Sequence, residues 1–71
     1  MKDVEVTVKI AGRKAARRLR LVPESTVADL LIRLEQNRET VVVKLNGLII
    51  AEEERLHSGD QVEILPVVTG G

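Results

Sequence analysis

The chain has 71 residues, 11 basic and 11 acidic side chains, a 44% hydrophobic fraction, and neither cysteine nor any Phe, Tyr or Trp. A chain of this length makes one domain and buries only about 60% of the surface its unfolded form exposes, so its core is small and must be built from Val, Leu and Ile. Disulfides, thiolate nucleophiles and zinc thiolates are excluded, and zero net charge argues against bulk electrostatic attraction to nucleic acid as a way of life.

Val4, Val6, Val8 and Ile10 alternate with Glu5, Thr7 and Lys9. A period of two in β-branched residues predicts a strand with one buried and one wet face. Ala11-Gly12-Arg13-Lys14 reads as a turn, and a second strand follows with Leu19 and Leu21 inward and Arg18 and Arg20 outward. The short connection makes the pair an antiparallel hairpin, which Pro23 ends. The period then changes. Val27, Leu30, Leu31 and Leu34 form one stripe of a helix expected from about residue 26 to Gln36. Thr26 is its expected N-cap with Asp29 answering three residues on, and Asn37 is its expected left-handed exit.

Thr40 to Leu45 is the most strand-like segment, Asn46-Gly47 is a two-residue hairpin signal, and Leu48 to Ile50 is the return strand. Ala51 to Arg55 reads as a solvated connection. Leu56-His57-Ser58-Gly59-Asp60 reads as a turn before a last strand with Val62 and Ile64 inward. The order β-β-α-β-β-β predicts an α+β fold: one helix across one face of a mixed sheet of four to five strands, with the first and last strands side by side at its centre. Residues 1–66 make this domain. Residues 67–71, Val67-Val68-Thr69-Gly70-Gly71, make an expected flexible tail without periodicity or capping signal. At a glycine usage of about 7%, a closing Gly-Gly arises by chance in roughly one chain in 200, so the pair asks for a physical reason. Glycine lets backbone approach another surface closely. Five extended residues reach about 16 Å, at ~3.3 Å each, enough to place a terminal carboxylate in another protein's active site.

This topology, the helix start Thr26-Val27-Ala28-Asp29-Leu30-Leu31, the turn Leu56 to Asp60 and the Gly70-Gly71 terminus resemble the ubiquitin-like β-grasp proteins. Within that superfamily the chain is most similar to the prokaryotic sulfur carriers, meaning the small subunit of molybdopterin synthase and the thiamine sulfur carrier, and to the small archaeal modifier proteins. Its length and the segment Thr40 to Gly47 lean toward the archaeal modifiers and tRNA thiolation. The resemblance implies that an E1-like enzyme adenylates the Gly71 carboxylate with ATP. A thiocarboxylate formed from that adenylate donates sulfur to cofactor biosynthesis or tRNA; alternatively a lysine of a target protein takes the acyl group as an isopeptide. A third reading, a ubiquitin-fold binding module, leaves Gly70 and Gly71 without a role.

Expected partners are therefore the E1-like enzyme, sulfur donor and acceptor enzymes or target lysines, with no bound cofactor or metal, no direct nucleic acid and no membrane. The protein is expected to be a cytoplasmic monomer. Val42, Leu65 and Val67 fall on the sheet face away from the helix and, with Val68 and Thr69, are the expected docking surface; such aliphatics are also ordinary on a protein surface. Arg13, Lys14, Arg17, Arg18 and Arg20 form a basic cluster suited either to RNA or an acidic partner, or simply to a solvated hairpin; the lack of aromatics removes base stacking. Glu52 to Glu54 and the lone His57 read as wet loop and turn residues. Lys2, Lys9, Lys14 and Lys44 are possible isopeptide acceptors. No nucleophile–base pair, phosphate loop or metal spacing is present, so the chain is expected to be a substrate of enzymes, not one itself.

Overall fold

A computed structural model of the chain describes residues 2–67. The elements are β1 (Val4–Ile10), β2 (Arg17–Leu21), α1 (Val27–Arg33), β3 (Val41–Leu45), β4 (Leu48–Ile49) and β5 (Gln61–Pro66). They form one sheet in the order β2-β1-β5-β3-β4. β1 and β5 run parallel and adjacent, with Val8 opposite Val62 and Ile10 opposite Ile64; the other pairs are antiparallel. This is the ubiquitin-like β-grasp: a mixed sheet holding a single helix against one face.

The alternation in the strands sets which face is buried. Val6 and Val8 of β1, Val43 of β3, and Val62 and Ile64 of β5 are sealed against Val27, Leu30 and Leu31 of α1, and Leu21 and Leu56 close the rim. With no ring to fill space, the core is a stack of branched aliphatics.

The helix start follows the sequence closely. Thr26 Oγ1 accepts from the Asp29 amide at 3.3 Å, and Asp29 Oδ2 accepts from the Thr26 amide at 2.9 Å, a complete capping box. The other two free amides of the first turn are met from outside it. Val27 N–H donates to the Glu54 carbonyl and Ala28 N–H to the Glu52 carbonyl, both at 2.9 Å. The segment Ala51 to Arg55, expected as a solvated connection, therefore keeps most of its side chains in water while its backbone caps α1. Thr26→Ala removes one arm of the box and is expected to cost about 1 kcal/mol, read as a lower midpoint in urea with an unchanged slope.

The helix end departs from expectation. α1 stops at Arg33 with Leu34 as its cap, and the left-handed residue is Glu35 (φ 58°), not Asn37. Glu35 N–H donates to Ile32 O at 3.0 Å and Gln36 N–H to Leu31 O at 2.9 Å, the two bonds of a Schellman motif. The apolar stripe ends at Leu34, so nothing rewards another turn. The strands are also shorter than expected. Thr40 lies outside β3, donating its amide and its hydroxyl to Asn37 O at 3.0 Å each, and Ile50 lies outside β4.

Two turns fix the end of the sheet nearest the loops. Asn46 and Gly47 (φ 50° and 90°) make the left-handed pair of a tight hairpin. Asn46 also reaches across, accepting from the Gln61 amide at 2.9 Å and donating to Asp60 Oδ1 at 3.1 Å. In the turn before β5, Asp60 Oδ2 accepts from the His57 amide at 2.7 Å, while Gly59 (φ 90°) donates to Glu5 O and Thr7 donates to Asp60 O. Gly59 has no atom near a would-be Cβ, so its requirement is its backbone angle and not space.

Candidate docking face and carrier terminus

Sheet register decides what the face away from α1 presents. Val43 stands opposite Ile64 with both buried, so their neighbours Val42 and Leu65, also direct partners, turn outward. Both are half-buried. Paired residues of this kind have Cβ atoms about 4.5–5.5 Å apart, so the two side chains make one continuous apolar spot. Val67 follows directly on β5, is 40% exposed and donates its amide to Thr40 O at 2.8 Å. Val68, Thr69, Gly70 and Gly71, the rest of the expected site, lie outside the described residues.

One residue of this face was not foreseen. Ile49, in β4, stands opposite Lys44 and so points to the same side as Val42; it is 69% exposed. Val42 and Ile49 also border a cleft of about 230 Å³ that opens at the edge of β3 toward Val27 and Leu31 of α1, beside the Arg38–Glu52 ion pair at 2.9 Å. The sequence signal was the apolar run Leu48 to Ile50. With period two, a two-residue strand leaves open which of its side chains joins which face, until pairing with β3 decides it. The rest of the outer face is polar, with Glu5, Thr7, Lys9, Lys44, Gln61 and Glu63 at outward positions. The apolar surface is thus concentrated where the chain leaves the sheet.

The remaining candidates fall elsewhere. His57 is exposed in its turn, with Nδ1 4.0 Å from Asp60 Oδ2. Glu52 pairs with Arg38, and Glu53 and Glu54 are exposed. Arg13, Lys14, Arg17, Arg18 and Arg20 are all exposed on the β1–β2 hairpin, at the opposite edge of the sheet from β4. Among the described residues no three His, Asp or Glu side chains group as a metal site, and no helix is long and apolar enough to cross a membrane.

The sequence matches the ThiS family over residues 7–71. Among solved structures the chain is similar to a putative molybdopterin converting factor subunit 1 from Pyrococcus furiosus, with a TM-score of 0.78 and 23% identity over 92% of this chain and 99% of that one. Small archaeal modifier protein 1 of Haloferax volcanii superposes with a TM-score of 0.77 at 19% identity, again over 92% and 99%. A ubiquitin of Caldiarchaeum subterraneum gives 0.70 at 16% identity over 97% and 99%. At such identities these likenesses concern the fold, and they agree with the strand order derived above. A family match that begins within β1 and runs through Gly71, on a five-stranded sheet wrapped around one helix in the ubiquitin-like fold, makes this chain a member of the ThiS family.

Proposed function

We propose that the protein is a sulfur carrier whose Gly71 carboxylate is adenylated by an E1-like enzyme and converted to a thiocarboxylate. The observation that carries this reading is the ThiS family match extending through Gly70 and Gly71. A carboxylate is a poor electrophile. Reaction with ATP releases pyrophosphate and gives an acyl-adenylate, whose AMP is a good leaving group. Hydrosulfide displaces AMP directly to give the thiocarboxylate; an enzyme persulfide gives an acyl disulfide, which a thiol then cleaves to the same product. The lack of cysteine anywhere in the chain suits this chemistry, because no internal thiol competes for the activated acyl group. The charged terminus then delivers its sulfur to cofactor biosynthesis or to tRNA thiolation.

In this reading Val42, Leu65 and Val67, joined by Ile49, form the face on which the activating enzyme docks, and Val68 to Gly71 enter its active site. The enzyme supplies the ATP site and the carrier binds no cofactor of its own. Val42→Glu places a charge in the centre of that face without touching the core. It is expected to raise the KM for the carrier in ATP–pyrophosphate exchange at least tenfold, about 1.4 kcal/mol, with the melting temperature unchanged within a few degrees. Unchanged exchange kinetics would place docking elsewhere.

A second reading, a protein modifier joined through Gly71 to target lysines, is favoured by the likeness to small archaeal modifier protein 1. Both routes share the acyl-adenylate and separate at the nucleophile. Intact-mass measurement of the protein purified gently from its own cells, without reductant or acid, distinguishes them. A gain matching one oxygen-to-sulfur exchange on the C-terminal peptide supports the carrier. Heavier proteins bearing a Gly-Gly remnant on lysine support the modifier. An unmodified terminus under both sulfur demand and stress rejects both.

A further inference from the structure

The basic cluster of the first hairpin has no part in the reading above, and the sheet places it on an open edge: β2 is the terminal strand. Gly59 donates to Glu5 O and Thr7 donates to Asp60 O, so the odd residues of β1 turn their backbone toward β5 and its even residues toward β2. With Val6 opposite Leu19 and Glu5 opposite Arg20, the odd residues of β2 then face β1, and the backbone groups of Arg18 and Arg20 face outward. The position of Arg33 agrees: from α1 its Nη1 donates to the Arg20 carbonyl at 3.2 Å. The edge is thus lined by the guanidinium groups of Arg17, Arg18, Arg20 and Arg33. Only Arg20 has a carboxylate within reach among the described residues, Glu5 at 3.6 Å, and that pair is exposed and weak.

We infer that the β2 edge is a docking site for an extended acidic segment of a partner protein, which adds as a sixth strand beside Arg17–Leu21. Strand addition supplies main-chain hydrogen bonds to the outward amide and carbonyl of Arg18 and to the Arg20 amide, the Arg20 carbonyl being held by Arg33, and reads alternate side chains on the two faces. On the outer face the incoming side chains meet Arg18 and Arg20, which select carboxylates. On the helix side they meet Leu19, half-buried against the core, which selects an aliphatic residue. The partner is therefore a strand in which Asp or Glu alternates with Val, Ile or Leu. A second copy of this chain does not fit. Two β2 edges would bring arginine against arginine, the charge device by which sheets avoid edge-to-edge association. The acidic run Glu52 to Glu54 is not free to serve either, since its backbone caps α1. RNA is disfavoured by the absence of any aromatic residue for stacking. The site lies across the sheet from Val42 and Ile49, so the strand docks without covering the face assigned to the activating enzyme.

The test titrates the full chain with a short synthetic peptide of alternating glutamate and valine, using a scrambled peptide of the same composition and an oligouridylate as controls. Amide resonances of the ¹⁵N-labelled protein report the site. The alternating peptide is expected to shift Arg18 and Arg20 and slow their amide exchange, with affinity falling as salt rises. Arg18→Glu with Arg20→Glu is expected to weaken binding at least ~tenfold by reversing the charges. Arg18→Pro, which removes an outward edge amide while leaving Arg20, is expected to weaken it too. If that variant does not fold, loss of the exchange protection at Arg18 and Arg20 in the charge-reversed protein stands in for it. Equal binding of the scrambled peptide, tighter binding of oligouridylate, shifts centred on Val42 and Leu65, undiminished binding by a folded Arg18→Pro protein, or no binding at all would each overturn the proposal.

Discussion

Truncation of Leu30 to alanine is expected to leave much of the protein unfolded in dilute buffer. Leu30 is fully buried on the inward stripe of α1, in the core it forms with Val6, Val8, Val62 and Ile64. Removing its isobutyl end loses transfer free energy and opens a cavity, together about 2–5 kcal/mol. A core in a domain of this size rarely supplies more than ~3–5 kcal/mol of net stability, so the loss approaches the whole. Relaxation around the gap is limited, because the sheet holds one wall through paired strands and no large side chain is at hand to swing inward. Far-ultraviolet circular dichroism and a urea titration read the result. Ile32, two residues on and 75% exposed, is the internal comparison: Ile32→Ala is expected to change stability by no more than about 0.5 kcal/mol. A native-like melt for Leu30→Ala would mean that α1 is not the clamp its packing indicates.

Deletion of Gly71 is expected to do the opposite, leaving the fold intact and abolishing activation. Among the described residues the buried core lies between Val6 and Ile64, and β5 ends at Pro66, so no core contact seen in the fold depends on the last residue. Removing one residue withdraws the carboxylate by about 3.3 Å along an extended chain. A misplacement of only ~1 Å can cost 10²-fold, so adenylation is expected to fall by at least about 10²-fold. Gly70→Leu keeps the length but adds a side chain where a narrow channel must close over backbone, and it is expected to behave the same way. The two variants are checked together by pyrophosphate exchange with the activating enzyme and by thermal melts. If either variant lowers the melting temperature by many degrees, or if the shortened chain is still adenylated at the normal rate, the carrier mechanism fails.

Much of this molecule is written locally. The alternation Val4-Val6-Val8-Ile10, the stripe Val27-Leu30-Leu31-Leu34 and the left-handed pair Asn46-Gly47 each specify their own conformation through side-chain spacing or backbone sterics. The capping box at Thr26 and Asp29 does the same through short-range hydrogen bonds. Even the outward position of Val42 and Leu65 follows from period two once Val43 and Ile64 are known to face in. Other features have no local cause. α1 stops at Arg33 and the chain turns left-handed at Glu35 because the packed stripe ends at Leu34, although glutamate has no preference for a left-handed angle, and Asn37, the better local candidate, does not take it.

The existence and order of the elements, their buried faces and a core without rings are legible in the residues alone, because those depend on neighbours within a few residues. Three features come only from the packing of distant segments. It turned the acidic loop into a cap, through the carbonyls of Glu52 and Glu54. It brought Ile49 beside Val42 by pairing β4 with β3. It left the arginines of β2 on a free edge by setting β1 and β5 together inside the sheet. Each of these depends on which backbone lies beside which. Hydrogen-bond partners distant in the chain are chosen by the assembled sheet and helix, not by any spacing a single segment can carry.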